Sequence, residues 1–352
     1  MSRSAMVVGL CLLLSPYAPR SNAAQVQMLW TSQGQNNAAE IQLANVDGSG
    51  VHPVLPVVPD TSVISVAVDS RTGMAYFGTF AADYSINRVS INGGAPTTLY
   101  NLRSFNSQAS NGTPAPWGLS IDTLHNKLYW VGGIGPDNPG LVNLIQRSNL
   151  DGSNIETIRQ TDGTVSSPFG IVVNGAAQQM YWTDRATRSI HRADLDGNNV
   201  ETVLTGTDSM RALAIDFEHD RLFWSETTSG ANSRILTARL DGSGIQTIVS
   251  GAPIPPVLPW LEEFKGLAVD PMTRKLYFTA DAYFGIGGVL VCNYDGSELT
   301  TLIGQTRGPS GIALLQVPEP STFVLGLFGI MAAAVVRRCC ATRHRRFPAS
   351  LC

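Results

Sequence analysis

The chain has 352 residues, of which 43% are hydrophobic and 14% charged, with 34 glycines, 20 prolines and a formal net charge of −3. That balance excludes a largely disordered chain and favours many short strands joined by tight turns over helices. It also excludes a general basic field for nucleic acid, and no local basic patch interrupts the middle of the sequence.

The first element lies behind Arg3, where residues 5–14 (AMVVGLCLLL) form a short apolar run. A proline-containing stretch and the small residues Ser21, Ala23 and Ala24 follow, the layout of a secretory signal peptide over residues 1–24. Cys11 is preceded by Leu10 and followed by apolar residues, so the small-residue pattern for lipid attachment is missing.

From residue 25 to 315 one pattern recurs: a Gly-apolar-Ala-apolar-Asp strand, a short turn, a Tyr-Trp strand, a third strand, and Asp-Gly leading into a fourth. First-strand copies begin at Ser65, Gly118, Gly170, Ala212, Gly266 and Gly311. Second strands carry Leu29-Trp30, Tyr76-Phe77, Tyr129-Trp130, Tyr181-Trp182, Phe223-Trp224 and Tyr277-Phe278. Third-to-fourth turns fall at Asp47-Gly48, Asn92-Gly93, Asp151-Gly152, Asp196-Gly197, Asp241-Gly242 and Asp295-Gly296, dipeptides expected to take positive φ at both residues. Their spacing is 45, 59, 45, 45 and 54 residues, that of a four-stranded propeller blade with insertions.

Six copies predict an all-β, six-bladed propeller over residues 25–315. The first copy lacks its first strand, and a lone first strand stands at Gly311–Leu315. Pairing of that segment with Met28–Ser32 is therefore expected to close the ring and protect both edges. Tyr129, Trp130, Tyr181, Trp182, Trp224 and Tyr277 are expected to fill the spaces between blades. Asp69, Asp122, Asp216 and Asp270 are expected to cap turn N–H groups.

If the strands of a blade are a to d from the axis outward, the a–b and c–d turns share one face, and the b–c and d–a connections share the other. All five insertions belong to the second face: 103–116, 132–141, 227–233, 250–263 and 280–288. Long connections on a rigid scaffold are where binding residues sit. They contain Phe105, Trp260, Tyr283 and Phe284. The residues just before each a strand, Ile64, Trp117, Phe169, Arg211, Lys265 and Ser310, are expected to ring the channel mouth on that face. Trp117 and Phe169 with Arg211 and Lys265 offer stacking and positive charge to an anionic or sugar-like group. This ring holds no carboxylate, and His52, His125, His191 and His219 read as unrelated repeat positions. The expectation is therefore a binding module without catalytic residues, metal or cofactor.

The last element begins at Val317-Pro318-Glu319-Pro320-Ser321, followed by the apolar run 322–336, Arg337-Arg338, and a basic tail with Arg343, Arg345 and Arg346. Fifteen helical residues span ~22 Å, short of a ~30 Å hydrocarbon core, so thinning or flanking residues would complete a crossing. The positive-inside rule keeps the arginines cytoplasmic and everything before the run outside. Cys11 lies in the predicted leader, and Cys339, Cys340 and Cys352 lie beyond the run. Cys292 alone remains in the predicted domain, which therefore forms no internal disulfide.

The copy Met180-Tyr-Trp-Thr-Asp184, with Leu195-Asp-Gly-Asn198 after it, resembles the class B (YWTD) repeats of the low-density lipoprotein receptor, over about residues 26–315. Other copies read Tyr-Trp-Val-Gly, Phe-Trp-Ser-Glu and Tyr-Phe-Thr-Ala. The resemblance implies an architectural role for the motif, Asp184 included. Residues 316–352 resemble the PEP-CTERM sorting segment of bacterial exported proteins, which implies recognition by an exosortase near Pro318, Glu319 and Pro320. Together these readings imply an exported envelope or surface module, anchored by a C-terminal transmembrane helix or released after processing, that binds a protein or polysaccharide. The alternatives are a metal-dependent propeller hydrolase or lyase and a non-catalytic matrix component.

Overall fold

The computed structural model describes residues 26–33, 39–58, 61–81, 84–102, 115–133, 142–162, 166–206, 208–227, 233–251, 261–282 and 286–316. Their strands form six four-stranded sheets, every neighbouring pair antiparallel. Blade 4 is representative: strand a is Pro168–Asn174, b Gln179–Asp184, c Ser189–Asp194 and d Glu201–Thr205. The a strands of blades 2 to 6 are Thr61–Asp69, Ala115–Asp122, Pro168–Asn174, Ser209–Asp216 and Leu261–Asp270. With Ile312–Gln316 as the a strand of blade 1, each touches the next and the last touches the first. That closed ring of contacts defines the axis. Residues Val26–Val317 form one compact unit.

The core follows from strand alternation, because successive residues of strand b point to opposite neighbours. Tyr181 packs with blade 5, while Trp182 packs with blade 3. The six apolar clusters coincide with the six blade-to-blade interfaces, so each blade is stabilised by both neighbours rather than by a core of its own. Trp30, Trp130, Trp182 and Trp224 are fully buried there. Truncating one to alanine is expected to cost about 3–5 kcal/mol. Burial also lifts the Tyr277 phenol to about 12, and it pushes the thiol of Cys292, which is unpaired, to about 12.

Near the axis the recurring glycine has a steric reason. A Cβ on Gly118 would lie 2.5 Å from the carbonyl of Phe169, and one on Gly266 would lie 2.4 Å from that of Ser310. The strand-b hydroxyl locks the same approach. Thr183 Oγ1 accepts from Gly170 N–H (2.8 Å) and donates to the Arg211 carbonyl of the next blade. Thr279 repeats this with Gly266 N–H (2.9 Å) and the Ser310 carbonyl.

Both turn classes depend on an aspartate. Asp122 Oδ1 accepts from the N–H groups of Leu124 (3.0 Å) and His125 (3.1 Å), and Asp216 does the same for Glu218 and His219. The c–d turns differ from the expected hairpin with two positive φ values. Only the glycine is left-handed, with φ +88° at Gly152, whereas Asp151 is not. Gly152 N–H bonds the Asn149 carbonyl and Asn149 N–H bonds that of Ser153, the pattern of a type I turn followed by a bulge. Asp151 Oδ1 accepts from Ser153 N–H (2.9 Å), so its side chain holds the turn without a strained backbone.

Ring closure occurs as expected, with Leu314 opposite Met28 and Ile312 opposite Trp30. Gly311 adds its carbonyl to Thr31 N–H (2.9 Å), and its own N–H goes to Thr31 Oγ1 (2.8 Å). The insertion expected over 280–288 is mostly ladder, because strands Lys275–Ala282 and Ile286–Asn293 pair up to Ala282 and Ile286. Its apolar and small residues continue the strand alternation past the expected loop boundary. The other insertions likewise begin or end in strand. Apart from Ser233 and Gly251, their remaining residues lie outside those described, as do Phe105, Trp260, Tyr283 and Phe284. Among the described residues no helix is long and apolar enough to cross a membrane.

Candidate functional site at the channel mouth

The six residues preceding the a strands' core segments converge where the inner strands begin. Ile64, Trp117, Phe169, Arg211, Lys265 and Ser310 line one depression of about 170 Å³, together with Val63, Glu263 and Gly308. The channel continues below it between the inner strands, past Gly118, Gly170, Gly266 and Gly311.

One wall is an aromatic stack. Trp117 lies on Phe169 with centroids 5.1 Å apart and planes at 20°, and Phe80 lies 5.9 Å from Trp117 with planes tilted at 31°. Tyr84 meets Phe80 edge-on at 5.2 Å. Arg185 and Arg211 lie over Phe169 at 5.5 and 5.7 Å. The facing sides of Trp117 and Phe169 are therefore occupied by one another, and Phe169 also carries guanidinium groups. What the wall offers is a rigid contour.

The opposite wall corrects the expectation of a carboxylate-free, cationic ring. Arg211 pairs with Glu263 at 3.2 Å, and Lys265 pairs with Asp281 at 2.6 Å and approaches Glu263 at 3.9 Å. Charges alternate as Arg211, Glu263, Lys265, Asp281, and each cation has an acidic partner. Arg211 Nε and Asp281 Oδ1 are buried with no hydrogen-bond partner among the described residues, leaving one donor and one acceptor unused. Glu263 was legible as the residue two before Lys265 in one strand. Asp281 and Phe80 were not, because they come from b strands that cross-strand pairing brings to the mouth.

Two motif positions resolve as architecture. Asp184 is fully buried and accepts from the N–H groups of Ser167 (3.0 Å), Ala186 (2.9 Å) and Thr187 (3.0 Å), and from the Ser166 hydroxyl. It thus joins the d–a connection to the b–c turn. In blade 5 Glu226 takes its place, accepting from Trp224 Nε1 (3.0 Å) and pairing with Arg234 at 2.6 Å.

The histidines are less scattered than the sequence implied. His125 and His219 hold the same position, three residues after the capping aspartate, with Nδ1 at 2.7 Å from Asp122 and 2.8 Å from Asp216. His191 stands apart, stacked on Trp182 at 5.3 Å, and its burial lowers its pKa. Among the described residues no three His, Cys, Asp or Glu side chains come together in a way that could hold a metal ion.

With six four-stranded blades in place, residues 178–216, which run from the a–b turn of blade 4 into strand a of blade 5, match the low-density lipoprotein receptor repeat class B. The chain carries this repeat within a six-bladed propeller. Residues 316–338 match the PEP-CTERM protein-sorting motif. The chain is similar to Protein cueball of Drosophila erecta, 28% identical over 172 residues, 47% of this chain and 23% of that protein. It is also similar to the vitellogenin receptor Yl of Drosophila melanogaster, 28% identical over 127 residues, 36% of this chain and 5% of the receptor. The alignments thus span less than a quarter of these relatives' length. Among solved structures, the crystal structure of the nidogen/laminin complex contains a chain matching at TM-score 0.63 and 18% identity, over 83% of this chain and 99% of that one. TolB from Acinetobacter baumannii matches at 0.60 and 12%, over 82% and 66%. At these identities the structural matches concern the fold of the propeller alone.

Proposed function

We propose that the chain is an exported interaction module whose channel mouth receives a segment of a protein partner. In this reading residues 1–24 are the leader, and 316–352 are the sorting segment on which an exosortase-type enzyme acts at Pro318-Glu319-Pro320. The observation that carries the reading is the mouth itself: a rigid aromatic wall facing a row of alternating charges. The row's four charges cancel, which disfavours a simple anion. The stacked faces of Trp117 and Phe169 are closed to a sugar, whereas a polypeptide segment supplies apolar, donor and acceptor groups together. A chain of this fold occurs in the nidogen/laminin complex, which supports a protein as the class of partner.

The test is an array of extracellular proteins and glycans probed with the purified chain, followed by Glu263→Ala and Lys265→Ala. Each is expected to weaken the selected interaction about tenfold or more, equivalent to about 1.4 kcal/mol, with little change in melting temperature. Capture of glycans alone would replace the protein reading with the polysaccharide one. Undiminished binding by both variants would move the site away from the mouth.

A further inference from the structure

Six c–d turns occupy equivalent places in the ring, yet one of them is chemically different. In five, the aspartate Oδ1 accepts from the N–H two residues on, as Asp151 does from Ser153 (2.9 Å) and Asp295 from Ser297 (2.9 Å). A second main-chain bond closes each of these five, as Asn149 N–H does with the Ser153 carbonyl (2.9 Å). In blade 2 the corresponding residue is Asn92, followed by Gly93 and Gly94. Among the described residues neither bond has a counterpart there. The Asn92 side-chain amide is exposed and makes no hydrogen bond, and the turn keeps only the bond from Gly93 N–H to the Ser90 carbonyl (2.9 Å) and that from Asn92 N–H to Ser90 Oγ (3.2 Å).

The glycines differ in room as well. A Cβ on Gly242 would lie 2.3 Å from the Val203 carbonyl oxygen, and one on Gly197 would lie 2.7 Å from Ile158. One on Gly93 would meet nothing nearer than 3.7 Å, and one on Gly94 nothing within 4 Å.

We propose that Asn92 is a site of covalent self-modification in the folded protein, where the side-chain amide is lost and aspartate or isoaspartate remains. The Gly93 nitrogen attacks Asn92 Cγ, and the new C–N bond closes a five-membered imide. The Cγ–Nδ2 bond breaks as the Gly93 proton passes through solvent to Nδ2, which leaves as ammonia. Water then opens the imide. Breaking the new bond at Cγ gives aspartate, whereas breaking the original peptide bond gives isoaspartate, with the chain running through Cβ and Cγ. Water is the one co-reactant, and nothing is oxidised or reduced.

The step needs a neutral electrophile, a Cγ free to swing to the glycine nitrogen, and room for the glycine to turn. The five aspartates fail the first two conditions. Hydrogen bonds from the residue two positions on hold them still and keep their carboxyls below the ordinary value, so they stay ionised. Asn174-Gly175, the same dipeptide in an a–b turn, fails the last two. Asn174 Oδ1 accepts from Ala177 N–H (3.1 Å), and a Cβ on Gly175 would lie 2.1 Å from Asp122 Oδ1. The aspartate product gives blade 2 the side chain of the other five turns and adds a negative charge to the face opposite the mouth.

The purified full chain is incubated in mildly alkaline buffer, folded or unfolded in urea, and digested for mass spectrometry of the peptides that hold Asn92 and Asn174. In the folded chain Asn92 is expected to gain one mass unit about tenfold faster than Asn174, or more, because only its reacting atoms are free to meet. In urea that difference is expected to vanish. Asn92→Gln is expected to abolish the acidic species that accumulates with this peptide's conversion on anion exchange, and Asn92→Asp to co-elute with it. Asn111-Gly112 lies outside the described residues, and its peptide is scored separately. Equal rates for Asn92 and Asn174 in the folded chain, or conversion of Asn92 in urea alone, would overturn the proposal.

Discussion

At the scale of single residues, the motif's hydroxyl shows how neighbouring blades are matched. Thr183 and Thr279 each accept from an axis glycine and donate to the next blade. Blade 2 reverses the arrangement: Ser65 stands at the a-strand position, its hydroxyl donates to the Pro116 carbonyl (2.6 Å), and Gly78 stands opposite it in strand b. A Cβ on Gly78 would lie 2.6 Å from Pro116 Cγ and 2.7 Å from Ser65 Oγ. Gly78→Thr, although it restores the residue used in blades 4 and 6, is therefore expected to destabilise the domain by about 1–3 kcal/mol in chemical denaturation. A neutral or stabilising result would show that the axis packing is looser than these distances require.

At the scale of elements, each c–d turn also leans on strand d of the preceding blade, forming an outer belt. The glycine there serves both its left-handed φ and this approach, but unequally. A Cβ on Gly296 would lie 2.0 Å from the Ile248 carbonyl, whereas one on Gly93 would lie 3.7 Å from that of Val54. Gly296→Ala is thus expected to cost clearly more than the roughly 1 kcal/mol of backbone strain expected for Gly93→Ala. Comparable melting temperatures for the two variants would contradict the belt.

The a–b turns supply a pH dependence. Burial pushes Asp216 upward, but hydrogen bonds from Tyr294 (2.8 Å) and His219 outweigh it and hold the carboxyl below its ordinary value of 3.8. A depressed carboxyl stabilises the fold above its unfolded pKa, and that contribution is lost as pH falls through the folded value. Melting temperature should therefore drop on acidification below about pH 4, and Asp216→Asn should be less stable at neutral pH with a flatter acid limb. An unchanged acid limb in the variant would assign the acid sensitivity to other carboxylates.

At the scale of the whole molecule, stability is circular, since every apolar cluster belongs to two blades. Truncation after Ser310 removes the inner strand of blade 1 and bares the edge of Val26–Gln33. The shortened chain is expected to lose its single cooperative unfolding transition and to associate through the open edge. A monomer with an undiminished melting temperature in size-exclusion and circular-dichroism measurements would argue against closure as the source of cooperativity.

Blade number, strand order, ring closure and the capping aspartates were legible in the sequence because each is a local pattern repeated at a fixed spacing. The six residues that ring the mouth were legible for the same reason, since each precedes the same strand in its own repeat. The chemistry of that mouth was not. Whether Arg211 and Lys265 are free depends on Glu263 and Asp281, and which face of Trp117 is covered depends on Phe169. These partners sit in other strands or other blades, at separations that no repeat spacing encodes. The sequence by itself determined the propeller and the position of its mouth, because periodic burial and turn chemistry act over a few residues. Only the tertiary structure decided which charges are paired and which ring faces are covered, because those are set by contacts made when six distant segments meet at one axis.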